Sequence, residues 1–108
     1  MKLTFLGTGT SQGIPVIGST HPVCLSEDIR DKRLRTSAYI EVAGKHLVID
    51  TGPDFRQQML ANHVKQVDAL LYTHEHRDHT AGFDDIRPFN FMQKKEMPLY
   101  CSSRVSEA

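Results

Sequence analysis

Residues 69–79 read Ala-Leu-Leu-Tyr-Thr-His-Glu-His-Arg-Asp-His, so an apolar run leads directly into a cluster of potential metal ligands. A continuous apolar run predicts a strand that is buried on both faces. The cluster then lies at the carboxyl end of that strand, where open α/β sheets place their sites. A solvated cluster without a role is the alternative, but four ligands within six residues favour a metal site. The candidate ligands are His74, His76, Asp78 and His79.

The spacing of these residues indicates how they share metal ions. His74 and His76 are two residues apart, which in an extended segment puts both side chains on the same side, able to share one ion. Asp78 and His79 are adjacent, so they need a turn to point there together, and a second ion beside the first would use them. The zinc pattern H-E-x-x-H starts at His74-Glu75 but needs His where Asp78 stands, and a helix where the sequence favours a strand. That pattern is therefore excluded.

The chain has 108 residues, 13 basic against 13 acidic side chains and 39% apolar residues, as is usual for a globular protein. This length allows one domain at most. No apolar run approaches the roughly 18 residues of a membrane helix, the N-terminus does not read as a signal peptide, and two cysteines are too few for a disulfide scaffold. We therefore expect a cytoplasmic protein without membrane association. The neutral charge argues against binding nucleic acid over the whole surface, although it leaves room for a local patch.

Apolar segments separated by glycine and proline predict an α/β order of elements. Apolar side chains on one face predict a helix over Phe55–Val64, and Ala81–Gln93 is expected to be partly helical, interrupted by Pro88. Residues 18–35 read as a long excursion with a short helical turn near Ser26–Lys32. Strands are predicted at Lys2–Leu6, Ser37–Val42, His46–Asp50, Ala69–Tyr72 and Pro98–Cys101.

Three segments together resemble the metallo-β-lactamase fold superfamily over nearly the whole chain. They are Gly7-Thr-Gly-Thr-Ser11, Ile49-Asp-Thr-Gly52 and the H-x-H-x-D-H pattern of residues 74–79. Among subfamilies, the segments at 7–13, 33–37 and 50–54 look most like the PhnP-like cyclic-phosphate phosphodiesterases, with ribonuclease Z as a more distant relative. The resemblance implies an α/β fold, the N-terminal half of the αββα sandwich. Residues 1–108 would form the N-terminal half of one domain, whose C-terminal half is absent from this chain.

The same resemblance implies a metal-dependent hydrolase, most closely a phosphodiesterase acting on a small phosphodiester. His74 and His76 would bind one divalent ion, and Asp78 and His79 a second, with zinc or manganese as the metal. A hydroxide held by both ions would attack phosphorus, and Asp78 would be catalytic, as a ligand and as the acceptor of a hydrogen bond from that hydroxide. Asp50 would orient the ligands through hydrogen bonds. Because the family's remaining ligands lie in the absent half, we expect this chain alone to be inactive.

Other residues also carry expectations, of which the first comes from the resemblance. PhnP-like relatives often carry C-x-C-x-x-C, a structural zinc site, where this chain has Ser19, His21 and Cys24. His21 and Cys24 are still able to bind zinc, whereas Ser19 is a poor ligand; otherwise Cys24 is an ordinary loop residue. Arg77 is expected in a structural salt bridge rather than on substrate. The run Arg30–Arg35 has four basic side chains against one acidic, which suits either a solvated face or attraction of phosphate.

Two other functions stay open from the sequence. The first is ribonuclease Z-like processing of tRNA, which the neutral charge and the lack of a visible RNA-binding arm disfavour. The second is a non-catalytic metal-binding module that completes its site by self-association, as a homodimer joined through the uncovered face of its sheet.

Overall fold

Five strands form one mixed sheet in the computed structural model of the protein, which describes residues 1–107. Their bounds are β1 Lys2–Gly7, β2 Ser37–Val42, β3 Lys45–Ile49, β4 Ala69–Leu71 and β5 Leu99–Tyr100. The strands lie side by side in chain order, with β1, β2 and β3 antiparallel and β3, β4 and β5 parallel. The α/β fold class expected from the sequence is therefore confirmed.

Five short helices and two 3-10 turns join these strands within residues 1–107. They are α1 Pro22–Leu25, α2 Phe55–Ala61, α3 Arg77–Thr80, α4 Arg87–Gln93 and α5 Ser103–Ser106, with the 3-10 turns at Ile29–Asp31 and Phe83–Ile86. The first 3-10 turn corresponds to the helical turn expected near Ser26–Lys32, whereas α1 has no predicted counterpart. Pro88 does not interrupt a helix, because it lies in the first turn of α4, where its missing N–H costs nothing. None of the described helices has the length and apolarity needed to span a membrane.

Helix α2 is shorter than the sequence predicts. It ends at Ala61, about one turn early, because His63 adopts a left-handed backbone conformation (φ 53°) that a helix does not continue. Phe55 and Met59, one turn apart, are buried, whereas the next residue, Leu60, is 59% exposed. The apolar face predicted for this helix is therefore correct for Phe55 and Met59 and wrong for Leu60.

The core lies between one face of the sheet and the helices that follow β3 and β4. Val48 of β3 and Leu70 of β4 contribute fully buried side chains. Helices α2 and α4 close over them with Phe55 and Phe89, whose rings meet edge to face at 6.3 Å between centroids. Ala69, on the opposite side of β4 from Leu70, is also buried. Ala69 and Leu70 are thus buried on opposite faces of β4, as its continuous apolar run predicts, whereas Leu71 is only partly buried.

The opposite face of the sheet is apolar and reached by solvent. The strand register places Leu3, Ile40 and Leu47 in one row across this face, and Phe5, Leu71 and Tyr100 in the next. Phe5 is 70% exposed and Tyr100 is 61% exposed. We call these six side chains the open sheet face. A contiguous apolar surface of this kind is typical of a sheet face that a further layer covers.

Candidate metal centre

The predicted ligands lie at the carboxyl end of β4, beside the carboxyl end of β3. Because β3 and β4 are parallel, both strands end at the same edge of the sheet. Asp50 follows β3, and its backbone N–H donates to the carbonyl of Leu71 (2.8 Å). The N–H of Thr51 donates to the carbonyl of His79 (2.8 Å). The segment after β3 is thus held against the loop after β4.

The loop of residues 73–76 is not helical, and α3 turns the last two ligands back towards it. His76 has φ −61° and ψ 145°, and α3 begins at the next residue. Because no helix includes His74, the structure agrees with the exclusion of the H-E-x-x-H pattern. The N–H of His79 donates to the carbonyl of His76 (2.9 Å). This is the turn that the adjacent residues Asp78 and His79 require.

All four predicted ligands gather around His74. Ligand atoms of His74, His76 and Asp78 lie within 4.8 Å of one another, and those of Asp50, His74 and His79 form a second group at the same spacing. The ring centroid of His74 is 3.9 Å from that of His79 and 4.8 Å from that of His76. The two expected ligand pairs therefore belong to one centre. Their division between two ions stays a prediction.

Asp50 is the buried member of this centre, with 3% of its surface exposed. Its backbone has a φ of 64°, in the left-handed region that Asp tolerates better than most residues. One carboxylate oxygen accepts from the N–H of Thr73 (2.8 Å). The other accepts from the hydroxyl of Thr73 (2.6 Å) and from Nδ1 of His79 (2.6 Å). A buried carboxylate with three donors holds each of those donors in a defined orientation.

These contacts determine which nitrogen of His79 is free. Because Nδ1 donates to Asp50, the neutral ring of His79 carries its lone pair on Nε2. That atom lies 3.0 Å from Oδ2 of Asp78. Because both atoms present a lone pair, this contact is favourable only with a cation between them, either a proton or a metal ion. Two atoms bound to one ion at about 2.0–2.2 Å each can stand this far apart. The arrangement of imidazole and carboxylate therefore fits a divalent metal.

The charged side chains between the ligands point elsewhere. Glu75 accepts a hydrogen bond from Arg104 of α5 (2.7 Å). Its own backbone N–H, and then the guanidinium of Arg104, lower the pKa of the Glu75 carboxyl. Arg77 is exposed and forms no ion pair with any residue of 1–107, so the structural salt bridge expected for it is wrong.

Three hydroxyl-bearing residues that are not among the predicted site residues, Thr51, Tyr72 and Thr73, support the centre. The hydroxyls of Thr51 and Tyr72 lie 2.5 Å apart and tie the segment after β3 to the end of β4. Burial raises the pKa of Tyr72, so its hydroxyl stays protonated at neutral pH. The hydroxyl of Thr73 lies 2.9 Å from Nδ1 of His74. A hydroxyl residue directly before the first His is the sequence signal that points to Thr73.

Two glycines allow the backbone segments of the centre to approach one another. A Cβ at Gly52 would collide with the carbonyl oxygen of Asp78, and a Cβ at Gly82 would collide with the carbonyl oxygen of Gly52. The close approach of these segments therefore requires glycine at both positions.

His21 and Cys24, the candidate structural zinc ligands, lie at α1. Nδ1 of His21 accepts from the N–H of Val23 (3.1 Å) and so caps the helix, while the hydroxyl of Ser19 accepts from the N–H of His21 (3.2 Å). Hydrogen bonds from Ser19 and from the N–H of Val16 lower the pKa of the Cys24 thiol. In the described part of the chain, no group of three His, Cys, Asp or Glu ligands gathers at α1. A zinc ion there stays a prediction.

The basic run Arg30–Arg35 finds partners within the chain. Arg33 donates to the hydroxyl of Thr8 (3.0 Å), and Arg35 forms an ion pair with Asp54 (3.0 Å). These contacts fasten the glycine-rich loop after β1 and the start of α2 to the segment before β2. Two arginines of the run therefore hold segments of the fold together, and Asp54 balances the charge of Arg35.

Comparison with known proteins places this fold in a family. A family model described as "Beta-lactamase superfamily domain" matches residues 45–108. The whole chain is 45% identical to a protein of Porphyromonas gingivalis (strain ATCC BAA-308 / W83) named octanoyltransferase, and covers 22% of it. Over 74% of its length it is 34% identical to ribonuclease Z of Bradyrhizobium diazoefficiens, again covering 22% of that protein.

Among solved structures, a diphosphatase of the PhnP family superimposes on this chain with a TM-score of 0.92 at 45% identity. The similarity covers 97% of this chain and 42% of the diphosphatase chain. The chain thus spans about a fifth of the named relatives and less than half of that structure. It belongs to the beta-lactamase superfamily and has the fold of the N-terminal half of a metallo-β-lactamase sandwich.

Proposed function

We propose that this chain forms the N-terminal half of a metal-dependent phosphodiesterase. The observation that carries the proposal is the meeting of four ligand side chains and the buried Asp50 at the carboxyl end of β4. The 45% identity to a PhnP-family diphosphatase supports chemistry at a phosphorus centre. A small phosphodiester is the proposed substrate.

The residues of the chain would bind and orient the metal ions. We propose two ions, zinc or manganese, because Nε2 of His79 and Oδ2 of Asp78 face each other beside the neighbouring rings of His74 and His76, which gives two pairs of ligands. Divalent ions in such a site generate a nucleophile from water at neutral pH and polarise a phosphoryl oxygen. Asp78 would serve both as a ligand and as the acceptor of a hydrogen bond from the attacking water. Asp50 would keep the proton of His79 on Nδ1 and so leave Nε2 for the metal.

The proposal includes a second half of the domain. The open sheet face has the composition of a surface that another layer covers, with Phe5 and Tyr100 mostly exposed. The chain covers 42% of the PhnP-family diphosphatase, which leaves room for such a layer in a protein of that length. The second half would cover the open sheet face and supply the remaining ligands, so residues 1–108 alone would be inactive.

The proposed setting is the cytoplasm, with a small molecule rather than a nucleic acid as the substrate. Both cysteines are free thiols, as is usual in a reducing compartment. The formal net charge is zero, and Arg33 and Arg35 are engaged within the chain. The chain therefore has no excess of positive charge that would attract a polyanion.

Hydrolysis of bis(p-nitrophenyl) phosphate by the intact protein tests the proposal. His76→Ala and Asp78→Ala should each lower the rate more than about 100-fold, because losing a ligand costs more than losing an outer-shell partner. His63→Asn and Asp84→Asn are matched controls at exposed positions, and both should keep the wild-type rate. Wild-type hydrolysis in both ligand variants would overturn the proposed function.

Ribonuclease Z-like processing of tRNA is the second candidate, favoured by the 34% identity to the ribonuclease Z of Bradyrhizobium diazoefficiens. It predicts a salt-sensitive gel shift with tRNA and cleavage of a precursor near its 3′ end. Hydrolysis of the small phosphodiester without tRNA binding would exclude it.

A self-associating metal-binding module is the non-catalytic candidate, and the open sheet face is the surface that favours it. It predicts that the 108-residue chain forms a homodimer whose mass in light scattering depends on added zinc. A monomer at every zinc concentration would exclude this candidate.

A further inference from the structure

We propose that Thr73 is a positioning residue that holds His74 in the tautomer with Nε2 free for a metal ion. The inference rests on the proposed function only in taking His74 as a ligand. The side-chain oxygen of Thr73 lies between two polar atoms, 2.6 Å from Oδ2 of Asp50 and 2.9 Å from Nδ1 of His74. Both distances are those of hydrogen bonds, so the hydroxyl links the buried carboxylate to the imidazole.

The direction of the two hydrogen bonds follows from the available protons. Oδ2 of Asp50 accepts the hydrogen bond from the hydroxyl of Thr73 at 2.6 Å. A hydroxyl carries a single proton, so that proton points to Asp50 and not to His74. The oxygen of Thr73 then presents a lone pair to Nδ1 of His74. A contact of 2.9 Å is favourable only if Nδ1 carries the proton, which leaves the lone pair of His74 on Nε2.

One carboxylate oxygen thereby orients two imidazole rings. His79 reaches Oδ2 of Asp50 directly at 2.6 Å, while His74 reaches the same atom through the hydroxyl of Thr73. Both rings then present Nε2 as the free nitrogen, and their centroids lie 3.9 Å apart. Partners that fix the tautomer of a metal-binding His typically change metal affinity 10–100-fold when removed.

The hydroxyl can be removed without disturbing the backbone that carries it. Thr73→Val keeps the branched shape of the side chain and the N–H that donates to Oδ1 of Asp50 (2.8 Å). Thr73→Ser keeps the hydroxyl. Thr80→Val is the matched control. Thr80 lies in α3, directly after the same loop, and the one hydrogen bond of its hydroxyl within residues 1–107 goes to the carbonyl of His76 (3.3 Å).

The experiment measures zinc affinity of the intact protein by competition with a chelator, and the His74 tautomer of the metal-free protein by ¹⁵N NMR. We expect Thr73→Val to weaken zinc binding about 10–100-fold, and Thr73→Ser and Thr80→Val to stay within about threefold of wild type. The wild type should show a proton on Nδ1 of His74, and Thr73→Val should shift that proton towards Nε2.

A wild-type His74 with its proton on Nε2 would overturn the inference, whether or not Thr73→Val folds. Unchanged zinc affinity in Thr73→Val, or an equal loss in Thr80→Val, would also overturn it. These outcomes differ from a failure of the proposed function. A wild type that binds zinc through His74 but hydrolyses no phosphodiester would overturn that function and leave the role of Thr73 standing.

Discussion

At the scale of single residues, the centre depends on a buried carboxylate in an uncommon backbone conformation. Asp50 has a φ of 64° and is almost completely buried, yet it accepts three hydrogen bonds. A backbone in this region costs free energy unless surrounding contacts hold it, and such residues cluster at functional sites. The bond from the N–H of Asp50 to Leu71, and the bond from the hydroxyl of Ser37 to the carbonyl of Asp50, supply those contacts.

Asp50→Asn tests the charge of this residue, because Asn also tolerates a left-handed backbone. In the variant, the NH2 group of Asn would face N–H or O–H donors that bind a carboxylate oxygen of Asp50 in the wild type. We expect the free energy of unfolding to fall by about 1–3 kcal/mol and zinc affinity to fall at least about tenfold. Urea unfolding of the metal-free intact protein and chelator competition measure the two effects. Asp84→Asn, at an exposed position, should change neither, and equal behaviour of the two variants would contradict the role of Asp50.

At the scale of elements, α2 connects the glycine-rich loop, the core and the metal centre. Phe55 and Met59 pack into the core, and the amide of Gln58 donates to the carbonyl of Arg35 (2.8 Å). The helix begins directly after the segment that passes Asp78 at Gly52. Its packing therefore helps to hold the segment after β3 against the ligand loop.

Met59 and Leu60 are adjacent apolar residues in α2 with opposite environments, so they make a matched pair. Met59 is 6% exposed and Leu60 is 59% exposed. We expect Met59→Ala to lower the free energy of unfolding by about 2–5 kcal/mol, because it leaves a cavity in the core. Leu60→Ala should cost less than about 1 kcal/mol, as is usual for an exposed position. Urea unfolding of the intact protein checks both values, and similar losses would show that the helix faces a different way.

At the scale of the whole molecule, one layer of helices covers one face of the sheet and leaves the other face apolar. The core face carries Val48 and Leu70, fully buried, whereas Phe5 on the open sheet face is 70% exposed. This half of the sandwich carries the four candidate ligands at one edge of the sheet, and no layer formed by residues 1–107 covers the open sheet face. The proposed second half would cover the open sheet face and contribute the remaining ligands to the metal centre.

Phe5→Asp in the intact protein tests whether the open sheet face is covered. If a second layer packs there, the new charge would be buried without a partner, and the free energy of unfolding should fall by about 2 kcal/mol or more. Met92→Asp is the control, because Met92 is 62% exposed on α4, away from that face. Equal effects of the two substitutions would contradict a covering layer at Phe5.

Much of the fold follows from local sequence patterns. The continuous apolar run before the ligand cluster predicts a strand buried on both faces, and Ala69 and Leu70 are both buried. The end of α2 is predicted too late, because His63 adopts a left-handed backbone conformation that ends the helix. The predicted interruption at Pro88 is wrong, because Pro88 lies in the first turn of α4, where a proline does not break a helix. Such outcomes depend on backbone conformation at single residues, which apolar periodicity does not report.

The sequence by itself determined the α/β class and the identity of the candidate ligands, because periodicity and ligand spacing are local properties. Only the tertiary structure decided how the ligands meet. It brings Asp50 to His79 across 29 residues of chain, gathers the candidate ligands around His74, and places the hydroxyl of Thr73 between Asp50 and His74. It also leaves Arg77 exposed, without an ion pair to any other residue of 1–107. The reason is physical: hydrogen-bond partners and burial are set by segments that are distant in sequence, and the parallel pairing of β3 and β4 brings those segments to one edge.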